Sequence, residues 1–400
     1  MAVEHKAELK LPEFVALAAL MISLVAMSID ALLPALSHIA LDLDVQDMND
    51  RQLVVSMIFA GLALGQIVYG PLSDSIGRKP FVYIGLGLFF AGCLISFVAT
   101  SFTVLLLGRV LQGIGVAGPR IVTVAMVRDL YEGRAMARVM SFVMGVFILV
   151  PAVAPIVGQT ILIFAGWRMI LVLYMVLSVT ALVWLALRQH ETLPAERRVE
   201  FSVARLAASF REVLTNRIAM GYTATAGLIL GAFIGYLSSA QQILQELYGL
   251  GTRFPVYFAV LALAIGSASF LNARIVVRLG MRRLSLRALS AISAISALFV
   301  LVAFYFEGQP PLWMLMAYLL VSFFCIGILF GNMNALAMEP LGHAAGVGAA
   351  VVGALSTSIA VPLGILIGTL FDGTVLPVVA GFSILGTAAL VVTKRTAGGS

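Results

Sequence analysis

The sequence predicts an all-α polytopic membrane protein, with twelve transmembrane helices in two pseudo-symmetric six-helix halves. Three observations lead there. Of the 400 residues, 61% are hydrophobic and 11% charged, with a mean hydropathy of +1.07; soluble domains hold about 45–50% apolar and about 25% charged residues. Apolar runs of about 20 residues, the length a helix needs to cross the hydrocarbon core, recur along the whole chain. The polar breaks between them are short except for one, Gln189–Arg217, which falls near the middle and carries several arginines. The organisation that follows is a first six-helix half over 1–188, a linker over 189–217 and a second half over 218–400.

In order, the spans read at 14–36, 52–72, 81–99, 102–124, 139–162 and 167–188, then 218–238, 255–276, 286–306, 311–337, 345–369 and 374–393. Residues 1–12, with Glu4, Lys6, Glu8 and Lys10, form a polar tail before the first span. That span carries Asp30 and Pro34 and lacks a small-residue cleavage pattern, which suits a retained helix rather than a cleaved signal. The resulting topology places all but four of the 25 Lys and Arg on one face; Arg51, Arg168 and Arg253 fall on the other, and Arg109 within a span. By the positive-inside rule the rich face is cytoplasmic, so both termini are expected inside. The first outer loop is acidic by contrast, with Asp42, Asp44, Asp47 and Asp50.

Between the second and third spans lies a short charged island, Gly70-Pro71-Leu72-Ser73-Asp74-Ser75-Ile76-Gly77-Arg78-Lys79-Pro80. A degenerate echo, Arg278-Leu279-Gly280-Met281-Arg282-Arg283, occupies the matching place in the second half, with Val277 where Asp74 stands in the first. Such a repeat is what a duplicated half leaves, and it puts a substrate site near the midplane between halves. The island's pattern Gly-x-Leu-x-Asp-x-x-Gly-Arg-Lys resembles the signature loop of the major facilitator superfamily. The resemblance implies that Gly70, Asp74, Gly77, Arg78 and Lys79 act as a conformational latch favouring the cytoplasm-closed state.

Two charges stand out within the spans, Asp30 and Arg109; a charge there costs about 2.5–3.5 kcal/mol to insert, so each asks for a function. Desolvation favours a protonated carboxyl and a nearby cation an ionised one, so Asp30 is suited to load and release a proton as its surroundings change. A static ion pair with Arg109 is the alternative. Arginine keeps its charge, so Arg109 tunes a carboxylate or binds an anion but does not relay a proton. The run Arg109-Val110-Leu111-Gln112-Gly113-Ile114-Gly115 resembles the fourth-helix signature of proton-coupled facilitators, which implies a part for Arg109 in proton transfer. In the fifth span Gly145, Pro151, Pro155 and Gly158 combine small residues with helix breakers, which predicts a kink or a close-packed seam. Ala154-Pro155-Ile156-Val157-Gly158-Gln159 resembles the antiporter motif of drug exporters, with two of the motif's glycines replaced.

The stretch Tyr236–Leu250 and the tail Asp372-Gly373-Thr374 resemble the bicyclomycin/chloramphenicol-resistance (Bcr/CflA) subfamily of the drug:proton antiporter group. Near these stretches Tyr236, Gln241, Asn332 and Asn334 either contact substrate or serve interhelical hydrogen bonds. Met27, Met57, Met144 and Phe147 form either a deformable apolar wall or ordinary core.

The resemblance implies a bacterial inner-membrane, proton-coupled multidrug exporter working by alternating access. Its partners would be a small, largely apolar substrate, protons and membrane lipids, and it would act as a monomer. A metabolite exporter or proton symporter for a small organic anion held by Arg109 is the second expectation, and a transporter-like sensor without flux the third. The charge of +6 is spread over loops, so nucleic acid is not an expected partner. His5, His38, His190 and His343 have no metal-ligand spacing, Cys93 and Cys325 sit inside apolar runs, and no phosphate loop occurs, so neither a cofactor nor an enzyme is expected.

Overall fold

The computed structural model describes residues 9–47 and 49–397. The tail residues Glu4, His5, Lys6 and Glu8, and the side chain of His343, lie outside the described residues. Twelve helices there are long and apolar enough to cross a membrane: α1 Leu11–Asp42, α2 Asp50–Ile76, α3 Arg78–Phe97, α4 Phe102–Leu130, α5 Gly133–Ala165, α6 Arg168–Arg188, α7 Arg217–Leu247, α8 Gly251–Leu279, α9 Met281–Tyr305, α10 Leu312–Leu341, α11 Val347–Thr369 and α12 Leu376–Ala397. Each hairpin reverses direction, so one face of the bundle carries the described ends and the linker. We call it the linker face, and its opposite the far face.

The two halves repeat one packing scheme. In the first, α1 packs on α4, α5 and α6, α2 on α4, and α3 on α4 and α6. In the second, α7 packs on α10, α11 and α12, α8 on α10, and α9 on α10 and α12. The halves meet mainly along α2 with α11 and α5 with α8, two seams exchanged by the same six-helix offset. Between helices, lipid tails are as apolar as leucine, so association depends on close backbone approach. Gly61 and Gly113 supply it between α2 and α4, where a Cβ on Gly61 would lie 2.9 Å from the Gly113 Cα. The bilayer-facing sides carry exposed large residues such as Leu107, Phe142, Phe164 and Phe304.

The structure redraws three expected boundaries. The island between the second and third spans is helical almost throughout: α2 runs to Ile76, α3 starts at Arg78, and Gly77 alone, at φ +130°, turns the chain. Arg78, the first residue of α3, reaches back across this turn to Asp74 on the last turn of α2 and ties the two helix ends together. Gly280, at φ +77°, makes the same turn between α8 and α9, where the sequence shows the degenerate echo. α1 is regular only to Asp30; a turn at Ala31–Leu32 and a 3-10 segment Leu33–Ala35 precede a last helical stretch, Leu36–Asp42. Pro34 has no N–H to give to the Asp30 carbonyl, and the helix ends there. α5, in contrast, runs unbroken through Pro151 and Pro155. Of the two outcomes expected there, the seam is the one that forms, with Gly158 pressed on the backbone of Ala31 so that a Cβ would come within 3.0 Å of the Ala31 Cα.

Past Arg188 the linker forms a 3-10 turn, Ala195–Arg197, and a helix, Val203–Thr215, whose start is capped by Ser202 accepting from the Arg205 N–H at 3.3 Å.

Candidate functional site

A cavity of about 380 Å³ lies between the halves, within the range of about 300–1,000 Å³ usual for small-molecule sites. Its wall is mainly apolar, with Ile29, Leu62, Phe147, Phe233, Phe330 and Met333 prominent. Gln66, Asn334, Ser356 and Thr357 add polar groups, and Gln66 donates to the Thr357 hydroxyl at 3.3 Å from the opposite half. Asp30 and Arg120 carry the only formal charges among the lining residues.

Asp30 is buried on the last regular turn of α1, and its carboxylate has no hydrogen bond or ion pair among the described residues. The expected alternative of a static Asp30–Arg109 pair does not form. Arg109 is fully buried and holds three neutral acceptors: Nε donates to the Val54 carbonyl at 2.9 Å, Nη1 to Gln112 Oε1 at 2.7 Å and Nη2 to the Ser28 carbonyl at 2.8 Å. Gln112 passes the network on to the Gly92 carbonyl and Ser96 hydroxyl of α3. The break at Pro34 explains this choice of partner. Carbonyls in the last turn of a helix lack intrahelical donors, and the guanidinium takes one of them two residues before Asp30. Arg109 thus braces the backbone that presents the carboxylate, and it lines no part of the cavity.

The expected substrate contacts divide. Phe147 and Asn334 line the cavity; Tyr236, Gln241, Asn332, Met27, Met57 and Met144 do not. Tyr236 is buried behind the wall, edge-on to Phe323 at 4.8 Å between centroids, and its hydroxyl has no hydrogen-bond partner among the described residues. Asn332 trades two hydrogen bonds with Asn272, at 2.9 and 3.0 Å, so a neighbouring helix consumes its amide. Met27 and Met144 pack against the core instead, and Met57 is half-buried outside it. In α5 Pro151 lines the cavity and Gly158 the α1 seam, whereas Gly145 has open space where a Cβ would sit and Pro155 is buried but does not line the cavity.

Gln241 belongs to a hydrogen-bonded seal at the far face. Arg51, its side chain 4% exposed, makes a bidentate pair with Glu246, both contacts at 2.7 Å. Ser37 donates to Glu246 at 2.6 Å and accepts from Arg51 and Gln241, each at 2.7 Å. Gln242 donates to Asn49 at 2.9 Å, and Asn49 to the Phe371 carbonyl at 2.8 Å. All of these except the Arg51–Ser37 bond join one half to the other. The residues from α7 sit on a π-helical turn, Gln241–Leu247, a geometry frequent at functional sites.

At the linker face, Arg78 is also 4% exposed and binds Asp74 at 2.5 Å, Ser73 at 2.9 Å and Asp129 at 2.8 Å. Glu191 of the linker accepts the backbone N–H groups of Arg78 and Lys79 at 2.9 and 3.0 Å, where a carboxylate favours the positive end of α3. It sits so near Gly77 that a Cβ there would lie 2.8 Å from a carboxylate oxygen. Lys79 donates to the Gln189 carbonyl at 2.5 Å. This ring joins α2, α3, α4 and the linker, all on the first half's side. Gly70, one turn before Asp74, faces the second half, where its Cβ would lie 3.3 Å from the Ala350 side chain.

Sequence reading missed Arg120, Arg51 and Glu246. Arg120 had the look of a topology charge on the cytoplasmic side, but the signal of its role lay in its position inside the predicted fourth span, 102–124. Arg51 is one of the few basic residues on the opposite face, next to the acidic loop, which marked it as a candidate for pairing.

A twelve-helix bundle with a twofold internal repeat and a small-molecule cavity between the halves defines a membrane transporter and not an enzyme. The chain belongs to the Major Facilitator Superfamily, whose family model matches residues 18–365. It is 31% identical over 335 residues to the uncharacterized MFS-type transporter YdgK of Bacillus subtilis, covering 82% of each chain. It is 28% identical to a bicyclomycin resistance protein homolog of Haemophilus influenzae, over 87% of each chain. It is 27% identical to multidrug resistance protein D of Escherichia coli, over 81% of this chain and 80% of that one. Among solved structures, a partially occluded inward-open form of the xylose transporter XylE from E. coli shares the fold with a TM-score of 0.74 and 13% identity, covering 96% of this chain and 97% of that one.

Proposed function

We propose that the chain is a proton-coupled exporter of small, largely apolar compounds, a drug:proton antiporter of the bacterial inner membrane, with both termini in the cytoplasm and a monomer as the working unit. The observation that carries this reading is Asp30, a carboxylate on the cavity wall with no hydrogen-bond or ion-pair partner among the described residues. A carboxylate so placed exchanges its proton with whatever fills the cavity, because no fixed cation holds it ionised. Arg109 keeps α1 broken and oriented at that point through the Ser28 carbonyl. The relatives named for bicyclomycin and multidrug resistance support the choice of cargo class and of export.

Substrate enters from the linker face and displaces the Asp30 proton; the halves then rock, the far-face seal opens, cargo leaves, and the site is protonated again. A proton descending 100 mV supplies about 2.3 kcal/mol, enough for roughly fifty-fold accumulation. Asp30→Asn should abolish proton-driven efflux in proteoliposomes while the protein keeps its thermal stability and gel-filtration profile. Unimpaired proton-driven efflux in that variant would remove the proton site from Asp30.

A further inference from the structure

Arg120 stands on α4 eleven residues after Arg109, which at 3.6 residues per turn is about three turns on, or about 16 Å along the axis and on nearly the same helix face. The two arginines have opposite surroundings. Arg109 spends its donors on fixed protein acceptors outside the cavity. Arg120 lines the cavity and has no hydrogen bond or ion pair among the described residues. The other charge on the wall, Asp30, is braced through Ser28 at the level of Arg109, so the axial offset keeps the two from pairing. The cavity therefore has two separated poles, an acid toward its far-face end and a cation toward its linker-face end, with aromatic and aliphatic side chains between them.

A guanidinium enclosed by apolar walls without an anion is costly, and its planar fork matches carboxylates and similar oxyanions. We propose that Arg120 is the anion-recognising end of the substrate cavity, so that the favoured cargo is an amphipathic molecule with one carboxylate or comparable anionic group and an apolar body. The anionic group sits on Arg120, with Asn334, Ser356 and Thr357 the neutral polar groups of the same wall. The apolar body lies along Phe233 and Phe330, toward Asp30. This inference rests on the reading of the cavity as the substrate site, and names which small molecules it takes.

The test is calorimetric titration of the purified full-length protein with three ligands of matched apolar body: 2-naphthoate, its neutral amide 2-naphthamide, and the cationic 2-naphthylmethylammonium. The wild type should bind naphthoate about tenfold or more tightly than the amide, a charge-assisted hydrogen bond's worth, and the ammonium weakest. Arg120→Gln should bring naphthoate and amide to equal affinity, and Arg120→Lys, which keeps the charge, should preserve most of the preference. Equal affinities in the wild type, no measurable naphthoate binding by folded wild type, or a preference that survives Arg120→Gln would each overturn the proposal. Asp30→Asn separates this inference from the antiport reading. It should lose proton-driven transport and keep the naphthoate preference; intact transport in Asp30→Asn together with a lost preference in Arg120→Gln would remove the proton site from Asp30 and leave the anion subsite standing.

Discussion

Arg51 and Arg78 are equally buried, at 4% exposure, and each anchors a cluster of hydrogen bonds at one end of the bundle. They differ in what they join. The Arg51 cluster runs from α1 and α2 to α7 and the turn after α11 and so bridges the halves. The Arg78 cluster keeps to α2, α3, α4 and the linker. Any motion that opens the far face must break the first, whereas the second can travel intact with its half. One is therefore a joint of the conformational cycle. The other is a fastening of a single rigid body, tied through Glu191 and the Val199 N–H to the chain that leads into the second half.

Removing each arginine's partners tests this contrast. The largest effect should come from Arg78→Gln, which leaves Asp129, itself hydrogen-bonded by Thr192, without its buried cation. Losing one member of a buried ionic cluster costs about 3–5 kcal/mol, so melting of the purified protein should fall by several degrees, with no selective opening of the far face. Glu246→Gln comes next. It removes the inter-half charge pair and should shift the population toward the far-side-open form, since opening lets water reach the bared Arg51. The expected shift is about 1–2 kcal/mol, or about tenfold faster maleimide labelling of a cysteine placed at Ser238, which is buried under the seal next to Ser56. Equal loss of thermal stability in both variants, with unchanged labelling in Glu246→Gln, would erase the distinction. Asp74→Asn should be the mildest: Arg78 retains Asp129, so stability should change by less than about 1 kcal/mol. Turnover should slow more than substrate affinity weakens, and a pure affinity loss would contradict a latch role for this motif.

The sequence made the charge island conspicuous, yet its helical structure was not legible there. The reason is local competition: Gly, Pro and Ser signal a turn, but the Arg78–Asp74 bond across Gly77 and the linker carboxylate on the first N–H groups of α3 fasten the two helix ends, and all but Gly77 is helical. In the fifth span likewise, two prolines four residues apart signal a bend, and the helix remains continuous.

What the sequence by itself determined is the class of solvent, the twelve spans, the repeat and the family. Partition into a bilayer is a property of each window of about 20 residues, whatever its neighbours, and Asp30 was conspicuous because a charge in such a window has to be explained. What only the tertiary structure decided is how each helix is rotated and what it meets. Two arginines on one face of α4 have nearly the same sequence credentials, yet one is consumed by the backbone carbonyls of α1 and α2 and the other lines the cavity with no partner among the described residues. That division depends on where Pro34 breaks α1 and on how closely the glycines of α2 and α4 let the helices approach. Packing across the bundle sets these distances, and the order of residues along one helix does not contain them.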